Sequence, residues 1–143
     1  MVYTAAMKIV IAPQTFKGSI SALDVARAMR EGVSRVADDA EIVLVPVADG
    51  GDGTLETLVD GSGGEVRTTR VTGPLGEERS ASWGALGDGS TAVIEMARTS
   101  GLALVHPTRL NPLITTTYGL GEAITAALDA GFRRFIVGIG GSA

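Results

Sequence analysis

The sequence predicts an α/β fold: a parallel sheet with helices on both faces, interrupted by a smaller, mostly β subdomain. Three observations carry this expectation. Short aliphatic runs that do not alternate with polar residues occur at 8–12, 42–47 and 135–139, the pattern of strands covered on both sides. A segment with apolar residues at helical spacing separates the first two runs, which makes a βαβ unit with an expected right-handed crossover. Between 65 and 97 the pattern changes to polar, alternating runs. The fold class is therefore Rossmann-like, with residues 1–64 and 110–143 forming the α/β domain and 65–109 beginning an inserted subdomain.

Each element follows from local chemistry. Lys8-Ile9-Val10-Ile11-Ala12 is a strand stopped by Pro13. Ser21-Ala22-Leu23-Asp24 has the serine-x-x-acid spacing of a capping box, and Ala22, Val25, Ala26, Met29, Val33 and Val36 continue a helical stripe to about residue 37. Ile42 to Val47 is the second strand, with Pro46 near its end, where a missing donor does least harm. Thr54–Asp60 reads as a short helix closed by Gly61. The runs 65–72 and 77–86, joined by Gly73-Pro74-Leu75-Gly76, read as an antiparallel hairpin in which Ala81, Trp83 and Ala85 share one face. Thr91–Ala97 reads as a further strand. From Thr117 onward Leu120, Ile124, Ala127 and Leu128 predict a helix stopped by Gly131, followed by the strand Phe135–Ile139.

The composition narrows the function. Twelve Lys and Arg against sixteen Asp and Glu give 143 residues a net charge of -4, with no basic run to meet a phosphate backbone, so nucleic acid is not an expected partner. The absence of cysteine excludes thiol nucleophiles, disulfides and thiolate metal sites. No apolar stretch approaches the ~20 residues of a membrane span, and the N-terminus lacks the pattern of an export signal, so no membrane partner and a cytoplasmic location are expected. Glycine is abundant, at 20 residues, and such chains often make tight loops beside small polar ligands.

Three loops leave the carboxyl ends of the apolar strands, at 13–19, 48–54 and 140–143. In open α/β sheets such loops converge on one crevice. In the first, Lys17 offers an ammonium, Ser19 a hydroxyl and Gly18 close backbone approach; the plainer reading is a solvated lysine and a capping serine. In the second, Asp49 and Asp52 bracket two glycines, which suits a magnesium ion also held by phosphate oxygens, or equally an acidic helix start. In the third, Gly138-Ile139-Gly140-Gly141-Ser142-Ala143 fits a G-x-G-x-x-A dinucleotide fingerprint, so a dinucleotide-binding module of an oxidoreductase is the alternative reading. His106, the single histidine, reads as a surface or packing residue. Arg109 and the threonines at 116 and 117 precede the last predicted helix, either as an anion site or as a loop with a threonine N-cap.

Six stretches together resemble the type I glycerate kinase family: 11–19, 48–54, 71–76, 92–97 with 100–102, 116–122 and 137–143. They occur in family order across nearly the whole chain from Met7. Departures are Gln14-Thr15 where the family usually has Asp then Ser or Thr, Asp52 where it has Glu, and an extra residue at Leu110. The resemblance implies two α/β domains with a cleft, and ATP- and Mg2+-dependent phosphoryl transfer to D-glycerate. It implies catalytic roles for Lys17, Asp49 and Asp52, with Asp49 and Asp52 as candidate metal ligands. Substrate and phosphate binding falls to Ser19, Gly50, Gly51, Thr116, Tyr118, Gly140, Gly141 and Ser142, with Arg109 or Asn111 on the glycerate carboxylate. Family members continue past Gly-Gly-Ser-Ala, so the chain is expected to be an N-terminal portion, inactive alone and able to self-associate.

Overall fold

Lys8–Ile11 (β1) and Glu41–Leu44 (β2) pair in parallel, with Lys8 opposite Glu41 and a 2.9 Å ion pair between their side chains. The computed structural model to which they belong describes residues 7–16 and 19–143. Helix α1 (Ala22–Ser34) connects the two strands. Its Ser21 cap accepts the Asp24 amide at 3.1 Å, as the capping-box spacing requires. Ala22, Val25 and Ala26 are buried, whereas Met29 and Val36 are exposed. The predicted apolar stripe is thus fully buried only at its start, with Val33 partly buried in the last turn and Val36 beyond the helix end.

The chain divides into two compact units, one through Ala48 and the other Asp49–Ala143. The second is built on a four-stranded mixed sheet of β3 (Glu65–Thr72), β4 (Glu78–Ala85), β5 (Thr91–Glu95) and β6 (Arg134–Gly138), in that order. The hairpin β3–β4 and the β4–β5 pair are antiparallel, and β6 lies parallel to β5 with Ala92 opposite Phe135. Residues 134–138 therefore share a sheet with the 65–97 stretch rather than with β1 and β2, which differs from the grouping expected from the sequence. An apolar run reports that a strand is covered, not which strand lies beside it, and β5 offers an equally apolar neighbour.

Strand alternation sorts the core of this unit. Trp83, Ala81, Ala85, Ala92, Ile94 and Val71 pack with Ala123 and Ala127 of helix α4 (Tyr118–Asp129) and with Phe132. Trp83 and Phe132 meet edge to face at 5.5 Å, an arrangement worth ~0.5–1.5 kcal/mol beyond area burial. On the other face Val93 packs against Leu55 and Val59 of helix α2 (Thr54–Ser62). Helix α2 approaches so closely that a Cβ on Gly84 would lie 3.1 Å from Leu55 Cδ1 and closer still to Val59 Cγ2. It passes through Gly61 and is capped by Gly63, one turn feature later than expected. Met96–Ser100 forms a short helix, α3, so the strand expected to reach Ala97 ends at Glu95. No helix among the described residues is long and apolar enough to cross a membrane.

Candidate functional site

The turn Asp49–Gly53 feeds directly into α2 and closes most of its own polar groups. Asp49 Oδ1 accepts the Gly51 amide at 3.0 Å; Thr54 Oγ1 donates to the Gly51 carbonyl at 2.8 Å and accepts the Gly50 amide at 3.1 Å. Gly51 and Thr54 are buried, while Asp49 and Asp52 are exposed. The turn is therefore fixed from within and presents two carboxylates outward.

The loop following β6 lies against this turn. The Gly140 amide donates to the Gly50 carbonyl at 2.9 Å. A Cβ on Gly140 would sit 2.8 Å from Gly51 Cα, and one on Gly138 2.6 Å from the Gly50 oxygen, so only glycine allows the two backbones this approach. On its other side the loop is held by residues 100–102: Leu102 donates to the Gly141 carbonyl at 2.8 Å and Ala143 to the Ser100 carbonyl at 2.9 Å. A Cβ on Gly141 would stand 3.9 Å from Asp52 Oδ2, which puts that carboxylate beside the glycine loop.

The amides of Asp52, Gly141 and Ser142 have no acceptor among the described residues. Free N–H groups on a glycine-rich loop suit a phosphate. The Asp52 carboxylate beside them would repel one unless a cation came between. No group of three or more His, Cys, Asp or Glu side chains gathers among the described residues. That donor set fits magnesium, which takes one or two carboxylates with substrate phosphate oxygens, and it does not make a protein-only cage.

Of the three loops expected to converge, the second and third meet inside one unit. Lys17 and Gly18 lie outside the described residues. Ser19 is exposed in the other unit, its amide bonded to the Phe16 carbonyl at 2.9 Å. Arg109 is exposed at the end of the turn Pro107–Arg109, and His106 is exposed beside it. Asn111 Oδ1 accepts the Leu113 amide at 3.0 Å. The Thr116 amide bonds to the Pro74 carbonyl at 3.0 Å, and its hydroxyl, rather than that of Thr117, accepts the Tyr118 amide at the start of α4. Tyr118 is largely exposed. No hydrogen bond among the described residues joins 107–118 to the 49–53 or 138–143 loops.

Sequence reasoning assigned no role to Glu95, which is fully buried at the end of β5. Its Oε1 accepts the Leu55 amide at 2.5 Å, and its Oε2 receives Arg98 Nε at 3.1 Å. Arg98 also pairs with Glu56. Burial pushes the Glu95 carboxyl above its ordinary range, against the opposing pull of the Leu55 amide and Arg98. An acid closing an otherwise apolar strand, directly ahead of a helix, was the available signal.

A model of the glycerate kinase family matches residues 9–143. Glycerate kinase from Bacillus subtilis (strain 168) is 57% identical over 137 residues, and glycerate kinase from Haemophilus influenzae 54% identical over the same length. Glycerate 2-kinase from Escherichia coli (strain K12) is 53% identical over 137 residues. Each alignment covers 96% of this chain and 36% of the relative, so the chain spans little more than a third of the relatives' length. A crystal structure from Salmonella typhimurium LT2, of a protein provisionally designated glycerate kinase 2, is similar with a TM-score of 0.80 at 50% identity. That similarity covers 96% of this chain and 37% of the other. These matches give no support to the dinucleotide-binding oxidoreductase alternative.

Proposed function

This chain belongs to the glycerate kinase family, and we propose that it supplies the phosphate- and metal-facing loops of a cytoplasmic enzyme that phosphorylates D-glycerate from ATP. The observation that carries this reading is the seating of the Gly140 loop on the Asp49–Gly53 turn, which brings the Asp52 carboxylate beside the glycine loop.

The reaction forms a bond between a glycerate hydroxyl oxygen and the γ-phosphorus, breaks the bond from that phosphorus to the β-bridging oxygen, and releases a proton and ADP. Such a transfer asks the protein chiefly for positioning and charge stabilisation. The amides of Gly141 and Ser142 hold phosphate oxygens, and Gly140, Gly50 and Gly51 keep the backbone close enough for them to do so. Asp49 and Asp52 hold magnesium or orient the acceptor hydroxyl. Magnesium, when bound, neutralises charge on the phosphate oxygens. Lys17 and Ser19 contact substrate or phosphate, Arg109 or Asn111 takes the glycerate carboxylate, and Thr116 and Tyr118 complete that binding region.

The assay is direct. Full-length protein incubated with ATP, magnesium and D-glycerate is expected to yield phosphoglycerate. Folded full-length protein that yields none contradicts the proposal.

A further inference from the structure

We propose that Glu95 is a positioning residue that joins the two loops of the candidate site, its side chain holding the aspartate turn and its backbone starting the segment that holds the glycine loop. The inference deepens the phosphoryl-transfer reading and rests on it for its catalytic consequence.

Helix α2 has an unusual start. Its N-cap is Gly53, which has no side chain to satisfy the first free amides, and no local side chain does so. Glu95, 40 residues away in sequence, supplies the missing acceptor: its Oε1 takes the Leu55 amide. A carboxylate at that place also complements the positive end of the helix dipole. The residues immediately ahead of Leu55 are the turn itself, with Thr54 clasping Gly50 and Gly51. Fixing Leu55 therefore fixes the turn that bears Asp49 and Asp52.

Glu95 is also the residue on which helix α3 begins. Helix α3 leads into Ser100 and Leu102, whose carbonyl and amide grip Ala143 and Gly141. The Ala97 side chain lies 3.5 Å from the position of a Gly141 Cβ. One buried residue thus anchors both sides of the Gly50–Gly140 contact. Arg98 locks the second carboxylate oxygen and leaves Glu95 no freedom to swing away.

The test uses hydrogen exchange and kinetics on Glu95→Gln and Glu95→Ala, with Val59→Ala as a destabilised control on the buried face of α2. In the intact chain, Glu95→Ala is expected to speed exchange at least tenfold at Leu55 and Gly50 and also at Gly140, Leu102 and Ala143. Glu95→Gln, which keeps an acceptor, is expected to fall between Glu95→Ala and the wild type. Val59→Ala is expected to speed exchange in α2 without reaching 140–143. Faster exchange confined to α2 in Glu95→Ala, or a pattern in Val59→Ala identical to it, overturns the joining role. In the full-length enzyme Glu95→Gln is expected to lower kcat at least tenfold at a temperature where it is fully folded, and an unchanged kcat also overturns the role. If the wild-type enzyme makes no phosphoglycerate, the functional reading fails while the exchange pattern still decides the role of Glu95.

Discussion

The Gly140 amide and the Gly50 carbonyl are 2.9 Å apart, and that hydrogen bond joins residues ninety positions distant in the chain. Around it the two backbones are too close for any side chain. The contact sets the separation between the carboxylates of one loop and the free amides of the other.

Replacing Gly140 with valine drives a branched side chain into Gly51 and pushes the loops apart. Misplacement by about 1 Å costs on the order of 10²-fold in a positioned reaction. Steady-state kinetics of full-length Gly140→Val should show that loss in kcat/KM, with the protein still folded by circular dichroism. A loss under threefold contradicts the placement of the site.

Asp49→Asn keeps an oxygen to accept the Gly51 amide but removes the charge. The turn should persist, and kcat/KM should fall by ~10²–10³, the scale of losing one charge-stabilising group. Asp52→Glu retains the charge and should stay within a few-fold of wild type. Normal activity in Asp49→Asn would show that the carboxylate serves only the turn.

Two acids should leave opposite marks on stability against pH. The Glu95 carboxyl is raised from its ordinary 4.5 by burial, so the folded state binds its proton more tightly than the unfolded chain. Its favourable contribution is complete below about pH 4.5 and is lost as pH rises through the elevated value. Wild type should thus lose stability relative to Glu95→Gln on going from pH 4 upward, with Glu56 and Arg98 the charged groups in contact. Asp88 is held well below the usual carboxylate range, first by the Thr91 hydroxyl and then by the Ser90 and Thr91 amides. Its contribution is fully present above the ordinary aspartate range and is lost progressively as pH falls below about 3.8, so the gap between wild type and Asp88→Ala should narrow from about pH 4 down to about pH 2. Denaturant titrations across pH read both effects, and parallel curves for either variant and wild type would refute that assignment.

Gly84→Ala should destabilise the second unit by roughly 1–3 kcal/mol, the usual cost of overpacking a filled interior. The added methyl meets Val59 and Leu55 rather than solvent. An unchanged melting temperature would mean that α2 is free to retreat from the sheet.

The strands were legible because β-branched runs such as 8–11 and the alternation of Ala81, Trp83 and Ala85 are local signals. The Ser21 cap was equally readable, since its partner Asp24 is three residues away. The pairing of β6 with β5 was not, because parallel neighbours are chosen by long-range packing and both runs are apolar. In the candidate site, the glycines at 50, 51, 138 and 140 are the legible part of the meeting of the two loops, since their backbones approach too closely for side chains. Glu95 escaped notice because its partner, the Leu55 amide, is a backbone group and has no residue signature. The loop at 107–118 is proposed on residue types, and its hydrogen bonds are local apart from that of the Thr116 amide to the Pro74 carbonyl.

Strand β5 serves two masters by parity: Ala92 and Ile94 face Trp83 and its neighbours, while Val93 and Glu95 face α2. Inserting a single residue into this strand would exchange the two sides at once, casting a carboxylate among aromatic rings and stripping α2 of its distant acceptor. Five residues therefore form a frame-sensitive stretch in which both faces depend on register, and a one-residue deletion or duplication there should be more damaging than a volume-conserving substitution at Val93 or Ile94.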